Sequence, residues 1–240
     1  MFAWLEKHPL ALAIGVVCMM SFAGLVEILP TFTQASRPTV GTKPYTVLEL
    51  AGRGVYIKDS CNACHSQLIR PFKTETDRYG SYSLSGEYAY DRPFLWGSKR
   101  TGPDLLRVGN YRTTDWHEAH MWDPAATVTG SIMPAYKHQF ENLANVETAY
   151  AEALTVMKVF ETPYNKKVPM KDGSTEIVPL AVKVAADGTI NADWEQAQKD
   201  ALEEAKLIAA DMKSPSVKKM VAEGKIPEIV ALIAYLNRLK

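Results

Sequence analysis

One stretch sets the first division of this chain. From Leu10 to Val26 the sequence L-A-L-A-I-G-V-V-C-M-M-S-F-A-G-L-V carries no charge. Glu27 interrupts, and Ile28 and Leu29 then lead to Pro30, a stop signal. Pro9 to Leu29 is close to the roughly 20 residues a helix needs to cross a bilayer. In hydrocarbon a lone segment satisfies its backbone only as a helix. Trp4 before the run and Phe32 after it are placed to sit at the two interfaces. A cleaved leader fits less well: the apolar run is long, the head is short with Glu6 beside Lys7, and no small-x-small site follows. Cys18 is not preceded by the small residue a lipid-modification site needs, since Val17 stands there. Lys7 lies before the span and Arg37 and Lys43 after it, so charge does not orient it.

The remainder reads as a Thr/Pro/Gly/Ser-rich linker over 31–45 and a soluble domain over 46–240. Val47 to Ser60 has apolar residues at helical spacing, weakened by Gly52 and Gly54. Residues 66–130 are rich in Gly, Pro and aromatics and read as a long loop. Glu141 to Phe160 is a helix ended by Thr162-Pro163. Asp172-Gly173 and Asp187-Gly188 turns separate short β-like runs between Val168 and Ile190. Asn191 to Met212 is a charged helix, and P-E-I-V-A-L-I-A-Y-L-N-R-L-K over 227–240 is a final one, opening with a permitted proline. No internal repeat or low-complexity run appears. Basic and acidic side chains balance at 27 each, which argues against a nucleic-acid partner.

Chemistry concentrates in S-C-N-A-C-H-S-Q, residues 60–67. On a helical turn, residues three and four apart share a face. Cys61 and Cys64 can thus add to the two vinyl groups of one haem while His65 reaches its iron, and the motif reads as c-type haem attachment. A thioredoxin-like dithiol would follow a strand in a βαβ unit, and no such pattern surrounds this one. A zinc site would need a second ligand pair, but the chain has only 3 cysteines and its other histidines lie far away.

A second axial ligand is then needed, and a methionine would favour electron transfer. Met133, in G-S-I-M-P-A-Y, is the best candidate: Pro134 stiffens the backbone after it, and Ile132, Ala135 and Tyr136 suit an apolar haem wall. The competitors are His117, His120, Met121 and His138. The first three share a helical face in W-H-E-A-H-M-W, which suggests a copper site or, more simply, a packed surface flanked by Trp116 and Trp122.

The helix leading into C-N-A-C-H, the M-P dipeptide and the final helix together resemble a class I cytochrome c domain. A narrower resemblance is to the membrane-anchored mono-haem subunit of cbb3-type cytochrome c oxidases, the FixO/CcoO family. It rests on C-N-A-C-H-S-Q-L-I-R-P-F, then R-Y-G-x-Y-S-x-S-G-E-x-x-Y-D-R-P-F-L-W-G-S-K-R-T-G-P-D-L, then G-S-I-M-P-A-Y. The resemblance implies a mainly α fold: a cytoplasmic head over 1–8, a transmembrane helix over 9–30 and a periplasmic haem domain with long loops and an insertion over 161–225. It also implies one haem c on Cys61 and Cys64, ligated by His65 and Met133, in the inner membrane. Partners would be a catalytic haem–copper subunit, where oxygen is reduced, and a di-haem cytochrome c subunit. A calcium shared with the catalytic subunit is a further implication, with Ser98 as a contact.

The loop from Arg70 to Arg107 is longer than a small haem domain needs, and long ordered loops are often contact surfaces. Tyr79, Tyr82, Tyr88, Tyr90, Phe94 and Trp96 suit an interface. Arg70, Arg92, Lys99 and Arg100 are candidates for haem propionates or partner carboxylates, or are simply solvated. No nucleophile triad, carboxylate pair or phosphate loop points to bond chemistry, and Gly52-Arg53-Gly54 lacks the rest of a nucleotide fingerprint. Electron transfer to an oxidase is the leading expectation. A free-standing tethered cytochrome c is the alternative, and an anchor protein without haem is the reading from another class.

Overall fold

The computed structural model describes residues 2–33, 38–97, 99–185 and 189–240. Arg37, Ser98, the Asp187-Gly188 turn and the Phe32 side chain lie outside the described parts. In chain order the helices are α1 (Phe2–Lys7), α2 (Pro9–Thr33), α3 (Val47–Lys58), α4 (Cys61–Cys64), α5 (Lys73–Tyr79), α6 (Thr114–Trp122), α7 (Pro124–Thr127), α8 (Val146–Val159), α9 (Trp194–Asp211), α10 (Pro215–Ala222) and α11 (Glu228–Arg238). Between α8 and α9 lie β1 (Lys167–Pro169), β2 (Thr175–Ile177), β3 (Val182–Val184) and β4 (Ile190–Ala192), which form two antiparallel hairpins, β1 with β2 and β3 with β4.

The apolar run forms α2, whose stretch Pro9–Leu29 has mean hydropathy 2.3 and no buried residue in its window. Length and composition fit a single-pass anchor. The helix continues through Pro30 to Thr33, so the proline is not the stop expected. A missing N–H costs a helix least near its end, where little of it remains to break. The rest of the linker lies on the domain, with Thr39 N donating to Gly86 O at 3.1 Å and Gly41 N to Pro169 O at 3.0 Å.

The domain is organised by the crossing of α3 and α11. Thr46 and Glu49 form a capping box at the start of α3: Glu49 N donates to Thr46 Oγ1 at 3.1 Å and Thr46 N to Glu49 Oε2 at 2.8 Å. That arrangement satisfies two otherwise orphaned donors. Ile229, Val230, Ala231, Ile233 and Tyr235 of α11 are fully buried, and the Tyr56 and Tyr235 rings pack edge-on at 5.5 Å. Gly52 makes the crossing: a Cβ there would sit 1.8 Å from Ala231 O and 2.4 Å from Ala231 C. The glycine that weakens the helix by propensity lets a second backbone approach.

Segment 161–225 is not a separate unit. Tyr164, Val178, Leu180 and Val217 share one hydrophobic core with α3 and α11, as do Ala197, Ala201, Ala205 and Ala209, spaced four apart along α9. Tyr164 Oη donates to Tyr45 O at 2.8 Å. Glu118 in α6 accepts from Lys213 N and Ser214 N at 2.5 and 2.7 Å, fastening α6 to the start of α10. The 141–160 helix begins only at Val146, where the Asn145 side chain accepts from Thr148 N at 2.9 Å. The 66–130 stretch holds α5, α6 and α7 rather than continuous loop, and the final helix ends at Arg238.

Candidate haem site

Ser60 turns the chain out of α3 in the left-handed region (φ 57°), and α4 presents Cys61 and Cys64 on one short turn. His65 caps α4, its N–H donating to Cys61 O at 2.9 Å. Beyond it the chain is clamped on both sides. Gln67 N donates to Trp96 O at 3.1 Å, while Gly102 N donates to Cys64 O and Leu105 N to Ser66 O, each at 2.9 Å. Tyr235 of α11 hydrogen-bonds the Gln67 side chain at 2.9 Å, tying the strip to the core.

The His65 ring is held by T-G-P-D. Its Nδ1 lies 2.9 Å from Pro103 O, so that nitrogen carries the proton and donates. Nε2 is then the lone-pair nitrogen left for a metal. A Cβ on Gly102 would stand 2.3 Å from His65 Cε1 and 2.7 Å from Nδ1, so only glycine lets the ring lie there. Asp104, fully buried, braces the strip by accepting from Ser66 Oγ at 2.6 Å, Leu68 N at 2.7 Å and Leu106 N at 2.9 Å. Burial holds the His65 imidazole below its ordinary pKa, favouring the neutral, ligating form.

Met133 is half-buried and packs against the main core. Its loop is pinned to α6 by Tyr136 N donating to Met121 O at 2.8 Å. Tyr136 feels the charges of Cys61, Asp59 and Cys64, so the loop passes beside α4. His120 feels the charge of His65. The elements carrying the four predicted haem residues therefore gather in one region. Ile132, at 81% exposed, and Ala135 point to the surface rather than forming an inner wall.

His117 and Met121 are buried in α6, and His120 stacks on Trp116 at 4.5 Å while its Nδ1 meets Thr127 Oγ1 at 2.6 Å. Burial pushes His117 down to about 4. These side chains are packed, as the simpler expectation had it.

The dithiol reading meets an electrostatic objection: burial, with Asp59 nearby, pushes the Cys61 thiol up to about 12, the reverse of an activated thiolate. A zinc reading of the cysteines fares no better. Among the described residues the one cluster of three metal donors is Asp59, His138 and Glu228, with no cysteine in it. The donor set at the site, two thiols at haem spacing, a pre-oriented imidazole and a thioether on a fastened loop, fits a haem.

Several predicted contacts are redirected. Arg100 donates to Ser66 Oγ at 2.6 Å, Leu68 O at 2.6 Å and Glu75 Oε2 at 2.8 Å, and Arg70 also pairs with Glu75. Those guanidiniums serve the loop itself, and the bond from Arg100 draws Glu75 down to about 2. Arg92 stacks over Phe160 at 4.1 Å. Lys99 is exposed. Tyr88 is buried with Ile69 and Leu106 in a small second core that Tyr79 flanks, whereas Tyr82, Phe94 and Trp96 are exposed. Phe94 and Trp96 stack in parallel at 4.5 Å.

Sequence reasoning quoted T-G-P-D without giving it a role. A Gly-Pro pair in a loop beside a buried aspartate was the available signal.

An α-helical domain on one apolar anchor helix, with a Cys-x-x-Cys-His turn at its centre, is a cytochrome c-like architecture. Compared with known families, residues 2–240 match the family described as "Cytochrome C oxidase, mono-heme subunit/FixO". The chain belongs to that family, and is a mono-haem subunit of a cytochrome c oxidase. A search of curated proteins gives no match.

Proposed function

We propose that this chain carries electrons through one covalently bound haem c to the oxygen-reducing subunit of a cbb3-type oxidase. Cys61 and Cys64 form the thioether links, with His65 Nε2 and Met133 as axial ligands. The observation that carries this reading is the bond between His65 Nδ1 and Pro103 O, over a glycine no other residue can replace, which leaves Nε2 as the ligating nitrogen. Bound there, the haem supplies a one-electron carrier.

The protein's own part is positional. Pro103 and Gly102 fix the imidazole plane, Asp104 fixes Pro103, and the Tyr136–Met121 bond fixes the Met133 loop. Rigid ligands rearrange little when charge changes, which keeps transfer fast. The haem domain would lie on the periplasmic side, and α2 would hold it beside its partners. The exposed Phe94–Trp96 stack with Tyr82 supports association with the catalytic and di-haem subunits over a free-standing tether, since exposed aromatics favour stable interfaces.

The test is copurification in mild detergent. A subunit stays with a haem–copper partner through gel filtration, and F94A/W96A weakens that association. Elution of the wild-type chain alone supports the tethered shuttle instead.

A further inference from the structure

The end of α3 meets the start of α11 and the segment after Met133 at a second cluster. Asp59, His138 and Glu228 each offer a ligand atom, and these atoms lie within 4.8 Å of one another. His138 Nε2 is already 3.0 Å from Asp59 Oδ2. A tetrahedral ion with bonds of about 2.0–2.2 Å holds its ligand atoms roughly 3.3–3.6 Å apart, so shifts of about 1 Å complete the set.

Two independent features point to a ligand. Glu228 is 7% exposed, and while its Oε1 takes the Lys58 ammonium at 2.5 Å, its Oε2 is buried without a hydrogen-bond partner. Gln139, fully buried, donates to Asp59 Oδ2 at 2.7 Å, yet its own Oε1 also lacks a partner. Buried acceptors are nearly always satisfied, so two unsatisfied ones beside an Asp–His pair mark a place for a cation.

We propose that Asp59, His138 and Glu228 bind one divalent transition-metal ion, with zinc as the ion the donors fit best. One imidazole, two carboxylates and a solvent molecule make a four-coordinate set of the borderline kind zinc accepts. Gln139 orients Asp59 from outside the set, as outer-shell partners do. Lys58 occupies the carboxylates when metal is absent. Its side chain is 48% exposed, so it can swing into solvent as a dication enters. The ion joins α3, α11 and the segment downstream of Met133, and its binding stands apart from whether haem is attached.

The experiment is a zinc titration by calorimetry of the complete, chelator-treated chain in detergent, with any free thiol alkylated. A metal count and a thermal melt accompany it. The expected result is one zinc per chain and a raised Tm. His138→Ala, at a side chain 45% exposed and so tolerant of change, weakens binding at least tenfold, and Gln139→Ala weakens it about 10–100-fold. Lys58→Ala tightens it by removing the competing ammonium. No stoichiometric zinc in the wild type, binding unaltered in His138→Ala, or weaker binding in Lys58→Ala would each overturn the proposal.

Discussion

Substituting Gly52 and Gly54 separately should shift stability in opposite directions. Alanine is favoured over glycine inside a helix by about 1 kcal/mol, and both residues lie within α3. At Gly54 a Cβ meets nothing within 4 Å, so Gly54→Ala should gain up to that amount. At Gly52 it would meet backbone, Ala231 O at 1.8 Å and Leu232 N at 3.0 Å, and no side-chain rotation relieves that. The α3 and α11 axes must part by roughly 1.5 Å to restore van der Waals contact, and a gap of even ~0.5–1 Å forfeits a quarter to a half of each contact's attraction. Overpacking of this kind costs about 1–3 kcal/mol before the wider loss across a fully buried crossing. After the propensity gain, Gly52→Ala should lose at least about 2 kcal/mol. Urea unfolding of the full chain in detergent, followed by far-UV circular dichroism, reads both shifts. A Gly52→Ala chain as stable as wild type would refute the view that this crossing organises the fold.

Gly102→Ala should leave haem attached but displace the imidazole from Pro103, changing the axial-ligand bands of the optical spectrum; an unchanged spectrum counts against the T-G-P-D cradle. Glu204, raised to about 7 by burial and then by Glu49 from a usual 4.5, binds its proton more tightly in the folded state. Its contribution is therefore fully present below pH ~4.5 and lost as pH climbs through about 7. Glu204→Gln should flatten that decline and raise stability at pH 8, measured by denaturation at several pH values; an equal slope in the variant argues against it. Glu75 has the opposite sign: held down to about 2 by Arg100, it supports the 66–107 segment above about pH 4.5 and releases it as pH falls toward 2. Glu75→Gln should remove that acid-side dependence, read by intrinsic fluorescence between pH 2 and 5.

The features legible in the sequence are those whose chemistry acts along the chain. Cys61, Cys64 and His65 must be neighbours to serve one haem, the anchor must be continuous to span a bilayer, and the final helix shows its buried stripe as a period. Contacts between distant segments leave no such mark. Gly52 reads as a helix weakener until Ala231 is seen against it. Tyr88 and Tyr82 look alike in an aromatic-rich loop, though one is core and the other surface. Arg70 and Arg100 look free until Glu75, on the short helix α5, claims both. Pro30 reads as a stop, but helix propensity does not fix where a helix in an apolar run ends. The 161–225 segment looks like an insertion because its short hairpins carry little periodicity, yet its buried side chains complete the core.

The central claim is that Cys61 and Cys64 hold a haem whose iron His65 and Met133 ligate. The most direct measurement is the optical spectrum of the chain, expressed with a cytochrome c maturation system, beside Met133→Ala and a Cys61→Ser/Cys64→Ser variant. The account predicts haem that stays with the denatured wild-type polypeptide, is lost from the double cysteine variant, and shows a weak far-red band that Met133→Ala abolishes. Extractable haem in the wild type, or a far-red band that survives in Met133→Ala, would contradict it.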